Sequence, residues 1–82
     1  MAKTFQVGIF SKDKSVYEGE VVSLVAPSVS GYLGVLAEHA PLAARLSAGK
    51  IVLRFTSGGP LEFNSVAGGF LEVRQNQATI LL

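Results

Sequence analysis

Apolar and polar residues alternate over much of this chain, and this period of two constrains the fold more than any other feature. Alternate residues of a strand point to the same face, so each run predicts a strand with one buried side. The runs are short, so the chain must reverse direction many times. Three runs show the pattern clearly: Phe5, Val7 and Ile9; Ile51, Leu53 and Phe55; and Ala78, Ile80 and Leu82.

Turn-forming residues interrupt the runs at regular intervals, since Gly, Ser, Asn and Pro supply the backbone angles that tight turns require. Strands that are separated by turns about every 8–12 residues predict a sandwich or a barrel. Hairpins are expected across residues 57–60 and at Asn76. The predicted turns are SKDK (11–14), YEGE (17–20), PSVSG (27–31), SAGK (47–50), SGGP (57–60) and RQNQ (74–77).

Three segments are less regular. Residues 21–26 (VVSLVA) are apolar on both faces, which favours a central strand. Residues 41–49 (PLAARLSAG) predict a short strand or a single helical turn that Gly49 would end. Gly68 and Gly69 predict a β-bulge or a close backbone approach, because a phosphate loop would open a helix and none is expected after them.

The composition suggests a surface that a partner covers. The chain has 82 residues, 49% of them hydrophobic and only 16% charged. Soluble domains have about 25% charged residues, so this single small domain has an unusually apolar surface. Apolar surface of this extent favours an interaction with another protein.

Several functional classes are disfavoured by the same composition. The net charge is +1 with scattered basic residues, which argues against a nucleic-acid surface. No cysteine is present, which excludes disulfides, thiolate metal sites and a cysteine nucleophile. No signal peptide is recognisable and no apolar run approaches the ~20 residues of a membrane helix, so direct membrane insertion is not expected.

His39 is the only histidine, and it follows Glu38 and precedes Pro41 by two residues. Catalysis by this histidine would need an orienting partner and a nucleophile within hydrogen-bond reach. A zinc site would need about three or four ligands. Neither set is apparent, so a loop histidine that bonds to backbone, or a contact residue on an exposed loop, is the better interpretation. A glycosidase pair is disfavoured in so small a domain, although the carboxylates Asp13, Glu18, Glu20, Glu38, Glu62 and Glu72 are available.

Two long motifs resemble a known family. The first is G-x-L-G-V-L-x-x-H-A-P-L over residues 31–42, and the second is G-G-F-L-E-V over 68–73, followed by N-x-A-T-I-L from 76. Together they resemble the amino-terminal domain of the ATP synthase epsilon subunit, the mitochondrial delta equivalent. The resemblance runs from about Phe5 to Leu82. It implies an all-β fold, a flattened β-sandwich of about ten short, mainly antiparallel strands.

The resemblance also implies a function. The domain would be a non-catalytic rotor part without cofactor or metal, and it would link the gamma subunit to the c-ring, with the catalytic head as a further partner. It would be a peripheral membrane protein on the cytoplasmic face of a bacterial inner membrane. Residues matching the c-ring interface are Gly31, Tyr32, Glu38 and His39, and those expected at the gamma-subunit interface are Ser11, Ala43 and nearby exposed apolar residues.

Three departures from the family pattern bear on these expectations. Tyr32 stands where other members often carry an acidic residue, and Ala37 replaces a frequent proline, which would make the loop before His39 less rigid. The chain is expected to be one β-sandwich over residues 1–82, without the family's carboxy-terminal helical hairpin domain and its inhibitory role.

Two other functional classes stay open at this point. One is a free-standing β-sandwich binding or adhesion module, for which only Tyr17 and Tyr32 would be exposed aromatic residues. The other is a small hydrolase that uses His39.

Overall fold

The computed structural model describes residues 3–12 and 14–82, and in these ranges it contains strands and no helix. This confirms the all-β prediction, with nine strands against the expected ten or so. The strands are β1 (Phe5–Ser11), β2 (Lys14–Val21), β3 (Ser23–Ser28), β4 (Gly31–Leu36), β5 (Leu42–Arg45), β6 (Gly49–Arg54), β7 (Leu61–Ser65), β8 (Phe70–Arg74) and β9 (Gln77–Leu81).

The strands form two sheets. The first sheet has the order β2-β1-β9-β8-β5, and the second sheet has the order β4-β3-β6-β7. Neighbouring strands are antiparallel except β1 and β9, which run parallel. The first and last strands therefore lie side by side in the middle of the first sheet, where each has a neighbour on both edges.

Alternation fills the space between the sheets with aliphatic side chains. In β1 the buried side chains are Phe5, Val7 and Ile9, as their spacing predicts. Side chains of the second sheet complete the same core, and Leu24, Ile51 and Leu53 are fully buried there. Each Å² of apolar surface that is buried stabilises the fold by about 25 cal/mol, so this layer is the main source of stability.

The two long sides of the sandwich are closed differently. On one side Tyr17 packs against Phe55 and Phe63, with ring centroids 6.3 and 5.9 Å apart. On the other side Leu46 joins the sheets: its N–H donates to the Gly69 carbonyl at 2.8 Å, and it also pairs with Ser28 of β3. The two layers are thus tied together at both sides.

Some local predictions were wrong. YEGE (17–20) lies within β2 and is not a turn, because β1 supplies a ladder partner for each of its residues. The run 21–26 is not one strand, since Val21 ends β2 and Ser23 begins β3 in the other sheet. Only the β3 part is central, between β4 and β6.

Other local predictions are confirmed. The segment 41–49 holds the short strand β5 rather than a helical turn, and Gly49 begins β6. Hairpins connect β6 to β7 and β8 to β9. The second turn places Gln75 and Asn76 at φ 52° and 60°, which is the left-handed region that two-residue hairpin turns require. The SKDK turn includes Asp13, which lies outside the described residues.

Candidate interaction surfaces

The predicted ring-facing residues lie at the two ends of the edge strand β4 and not in a single loop. Gly31 and Tyr32 are its first two residues, whereas Glu38 and His39 follow its last residue, Leu36. β4 has six residues, so at ~3.3 Å per residue its ends are roughly 17 Å apart. The four residues therefore mark the two ends of one edge of the sandwich.

The first end of β4 is set by a tight turn after Ser28. The Ser28 hydroxyl donates to the Gly31 carbonyl and accepts the Ser30 N–H at 3.2 Å. Gly31 has φ 117°, which a residue with a Cβ rarely adopts. The Tyr32 side chain is 65% exposed, and a Cβ built on Gly49 would come within 2.9 Å of its hydroxyl oxygen. The phenol therefore lies on the outer face of the second sheet and reaches toward β6.

The second end of β4 is held by hydrogen bonds to other segments. Glu38 has φ 62°, and its N–H donates to Asn76 Oδ1 at 2.7 Å. Its carboxylate accepts from Lys3 Nζ at 3.3 Å. His39 is half-buried and its Nδ1 lies 2.7 Å from the Ala40 carbonyl oxygen, so Nδ1–H is the donor. This contact matches one of the two interpretations that the sequence left open, a loop histidine that bonds to backbone.

The backbone of β4 is open on the side away from β3. Pro27, which has no N–H, pairs with Tyr32, so this is a pair without ladder hydrogen bonds and the pattern alternates from there. The N–H and C=O groups of Tyr32, Gly34 and Leu36 consequently point outward. Charged residues and proline usually protect an edge strand from pairing with another chain. β4 contains neither.

The other edge strands do carry such protections. β2 presents three charged residues, β7 follows a proline, and β5 has only four residues. Short length, charge and proline all discourage pairing with another chain. The edge of β4 is therefore the one most open to a partner within the described part of the chain.

The outer face of the first sheet carries a second apolar surface. Phe10, Leu81 and Phe70 lie opposite one another on β1, β9 and β8, and we call them the apolar row. Leu81 is 52% exposed and Phe70 42% exposed. The Phe10 ring folds back over Gly8, where an added Cβ would come within 2.8 Å of it. Large apolar side chains on an outward-facing row are typical of an interface.

Ser11 and Ala43 lie on the same sheet as the apolar row. Ser11 follows Phe10 at the end of β1, and Ala43 lies on β5 opposite Glu72 of β8. Ala43 is exposed and Ser11 is half-buried. The sequence pointed to these two positions and to apolar residues near them, but the apolar row emerges only from the register.

The acidic side chains that the sequence offered are spread over the two sheets in the described residues. No group of three or more His, Cys, Asp or Glu side chains is close enough there to hold a metal ion. Glu62 pairs with Lys50 at 3.4 Å on the second sheet, while Glu18, Glu20 and Glu72 are exposed on strands of the first sheet. Asp13 lies outside the described residues. No helix in residues 3–12 and 14–82 is long and apolar enough to cross a membrane.

The remaining sequence motifs have structural explanations. Gly68 has φ 95°, and a Cβ on Gly69 would lie 2.9 Å from the Leu81 carbonyl oxygen. This is the close backbone approach that was predicted, and a strand follows it instead of a helix. Tyr17, expected to be exposed, is half-buried against Phe55 and Phe63, so the aromatic surface of an adhesion module is not formed by the two tyrosines.

Comparison with known proteins identifies the family. The family described as "ATP synthase, Delta/Epsilon chain, beta-sandwich domain" matches residues 4–82. The chain belongs to this family. An ATP synthase epsilon chain from Dichelobacter nodosus is 46% identical over 99% of this chain and 56% of its own length. One from Leptospira borgpetersenii is 45% identical over 98% of this chain and 61% of its own length.

A solved structure has the same fold. One chain in the Euglena gracilis mitochondrial ATP synthase structure, which shows OSCP, F1 and the c-ring, matches with a TM-score of 0.86. The match covers 95% of this chain and 49% of that chain, at 20% sequence identity. The chain thus spans somewhat over half the length of the curated epsilon-chain relatives, and that part is their β-sandwich domain.

Proposed function

We propose that this protein is a non-catalytic central-stalk subunit of an F-type ATP synthase, which links the gamma subunit to the membrane c-ring. Rotation driven by protons or sodium ions would pass through it and be coupled to ATP synthesis. The observation that carries the proposal is the family match across residues 4–82 together with relatives named ATP synthase epsilon chain. The protein would be peripheral to the membrane, on the cytoplasmic face in a bacterium.

The gamma subunit is proposed to bind the outer face of the first sheet. The apolar row crosses β1, β9 and β8 on that face and ends at Arg45, which pairs with Phe70. Ser11 directly follows Phe10, and Ala43 lies two residues before Arg45. A contact that transmits torque should bury at least ~1,000 Å² with an apolar centre. Partial exposure of Phe70 and Leu81 in the isolated domain leaves area for a partner to cover.

The c-ring is proposed to contact the edge formed by β4. Gly31 and Tyr32 lie at one end of that edge and Glu38 and His39 just beyond the other. Polar loops of a c-ring would suit this surface, because the outward backbone groups of β4 can accept and donate hydrogen bonds. Tyr32 contributes contact area and one hydroxyl.

Both contacts sit on a stiff support. Hydrogen-bonded ladders connect all strands of each sheet, and the aromatic cluster and Leu46 tie the layers together. Such a sandwich resists shear, which a subunit that transmits rotation needs. The same stiffness would let it contact the catalytic head without deforming.

The test is binding of the purified protein to the gamma subunit and to the c-ring of the same organism, measured separately. Phe70→Gln should weaken binding to gamma about tenfold or more, since buried interface aromatics are frequent hot spots. Tyr32→Ala and His39→Ala should weaken binding to the ring and leave gamma binding and the melting temperature nearly unchanged.

Glu62→Gln is a suitable control because it lies on the outer face of the second sheet, away from β4 and the apolar row. It should change neither interaction. If the unchanged protein bound neither the gamma subunit nor the c-ring, the proposed function would be contradicted. A large fall in melting temperature for His39→Ala would show that this histidine is structural.

A further inference from the structure

Asn76 connects three separate segments at the end of the sandwich where Glu38 and His39 lie. Its side-chain oxygen accepts the Glu38 N–H at 2.7 Å, and its side-chain amide donates to the Thr4 carbonyl at 3.0 Å. Its own carbonyl accepts the Gln6 N–H at 3.2 Å. One residue thus binds the β8–β9 turn to the start of β1 and to the loop after β4.

The loop after β4 needs such a support. Glu38 has φ 62°, which costs a residue with a Cβ about 1 kcal/mol or more when nothing compensates. Its N–H is an exposed loop donor that would otherwise bond to water. The ion pair with Lys3 involves side chains that are 71% and 64% exposed, so it adds little restraint.

The chemistry of this position explains why an asparagine serves. The side chain must accept one hydrogen bond and donate another at the same time, which a carboxamide does. The backbone has φ 60°, and asparagine tolerates this left-handed conformation better than most residues. Gln75 shares the turn and its positive φ, but no side-chain hydrogen bond joins it to this loop in the described structure.

We propose that Asn76 is the positioning residue that holds the loop of Glu38 and His39 in the conformation that contacts the c-ring. This inference rests on the proposed function for its partner, but the hydrogen bond to Glu38 can be tested without that partner.

The first measurement is amide hydrogen exchange of the free protein, resolved at Glu38. Asn76→Gly keeps the turn, because glycine accepts positive φ, and removes both side-chain bonds. Exchange at Glu38 should become about tenfold faster, as expected for loss of one hydrogen bond. Gln75→Gly alters the same turn without removing either side-chain hydrogen bond of Asn76 and should leave exchange at Glu38 unchanged.

Asn76→Asp separates the two bonds of the side chain. A carboxylate still accepts the Glu38 N–H but cannot donate to the Thr4 carbonyl. Protection at Glu38 should therefore persist in this variant.

The second measurement is affinity for the c-ring, with binding to the gamma subunit as a reference. Asn76→Gly should weaken ring binding by at most the factor by which exchange rises, because affinity falls in proportion to the population of the competent loop conformation. Gamma binding should stay constant. Unchanged exchange at Glu38, or faster exchange with unaltered ring affinity, would overturn the inference. If the unchanged protein bound neither partner, the proposed function would fail instead, whatever the exchange result.

Discussion

Replacing Leu53 by alanine tests the layered core, and Leu36 in the same sheet is its matched control. Leu53 is 0% exposed and Leu36 is 62% exposed. Truncation of a buried leucine removes about three methylene-sized groups, at ~0.8 kcal/mol each. The cavity left behind raises the cost to about 3–5 kcal/mol. At Leu36 only about a third of the transfer term is lost and no cavity forms, so we expect ~1 kcal/mol or less.

The assay is urea unfolding followed by circular dichroism, with thermal unfolding alongside. For a domain of 82 residues the total stability should be about 4–12 kcal/mol. Leu53→Ala would therefore remove a large part of it and lower the melting temperature by about 12 °C or more. Leu36→Ala should lower it by only a few degrees. Similar losses in the two variants would contradict the assignment of inner and outer faces in the second sheet.

Two further predictions concern packing. The buried Ser65 hydroxyl has no hydrogen-bond partner among the described residues, so Ser65→Ala should leave the melting temperature unchanged or raise it; a clear fall would reveal a partner for that hydroxyl. Gly69→Ala should destabilise the folded protein by about 1–3 kcal/mol, because the added Cβ would lie 2.9 Å from the Leu81 carbonyl oxygen. Gly59→Ala is the control, since its Cβ would meet nothing within 4 Å, and it should leave the melting temperature unchanged in the same thermal unfolding assay.

Much of the fold could be predicted because one physical signal, the period of two, governs which side chains are buried. Phe5, Val7 and Ile9 are buried where the alternation placed them. The signal fails where polar residues stay inside a ladder, as in YEGE, since turn propensity and strand pairing then compete locally. It also fails at Val22, where an apolar run crosses between sheets, because composition does not mark the crossing.

The interaction surfaces were harder to predict because they depend on register. Phe10 is distant in sequence from Phe70 and Leu81, and only the parallel pairing of β1 with β9 brings it beside Leu81, which the β8–β9 hairpin places beside Phe70. The one available signal was an apolar residue at an outward position of an alternating strand. Asn76 was predicted as a turn residue, but its bond to Glu38 spans 38 positions and no local pattern indicates it.

The most direct test of the proposed stalk role is cross-linking from position 70 in the assembled synthase. The chain has no cysteine, so Phe70→Cys gives a single attachment site for a short photoreactive reagent, and Gly59→Cys in the β6–β7 loop, where an added Cβ meets nothing within 4 Å, gives a control. We expect a product between position 70 and the gamma subunit and none from position 59. Absence of a gamma product from position 70, in a complex that contains the protein, would contradict the proposed gamma-binding face.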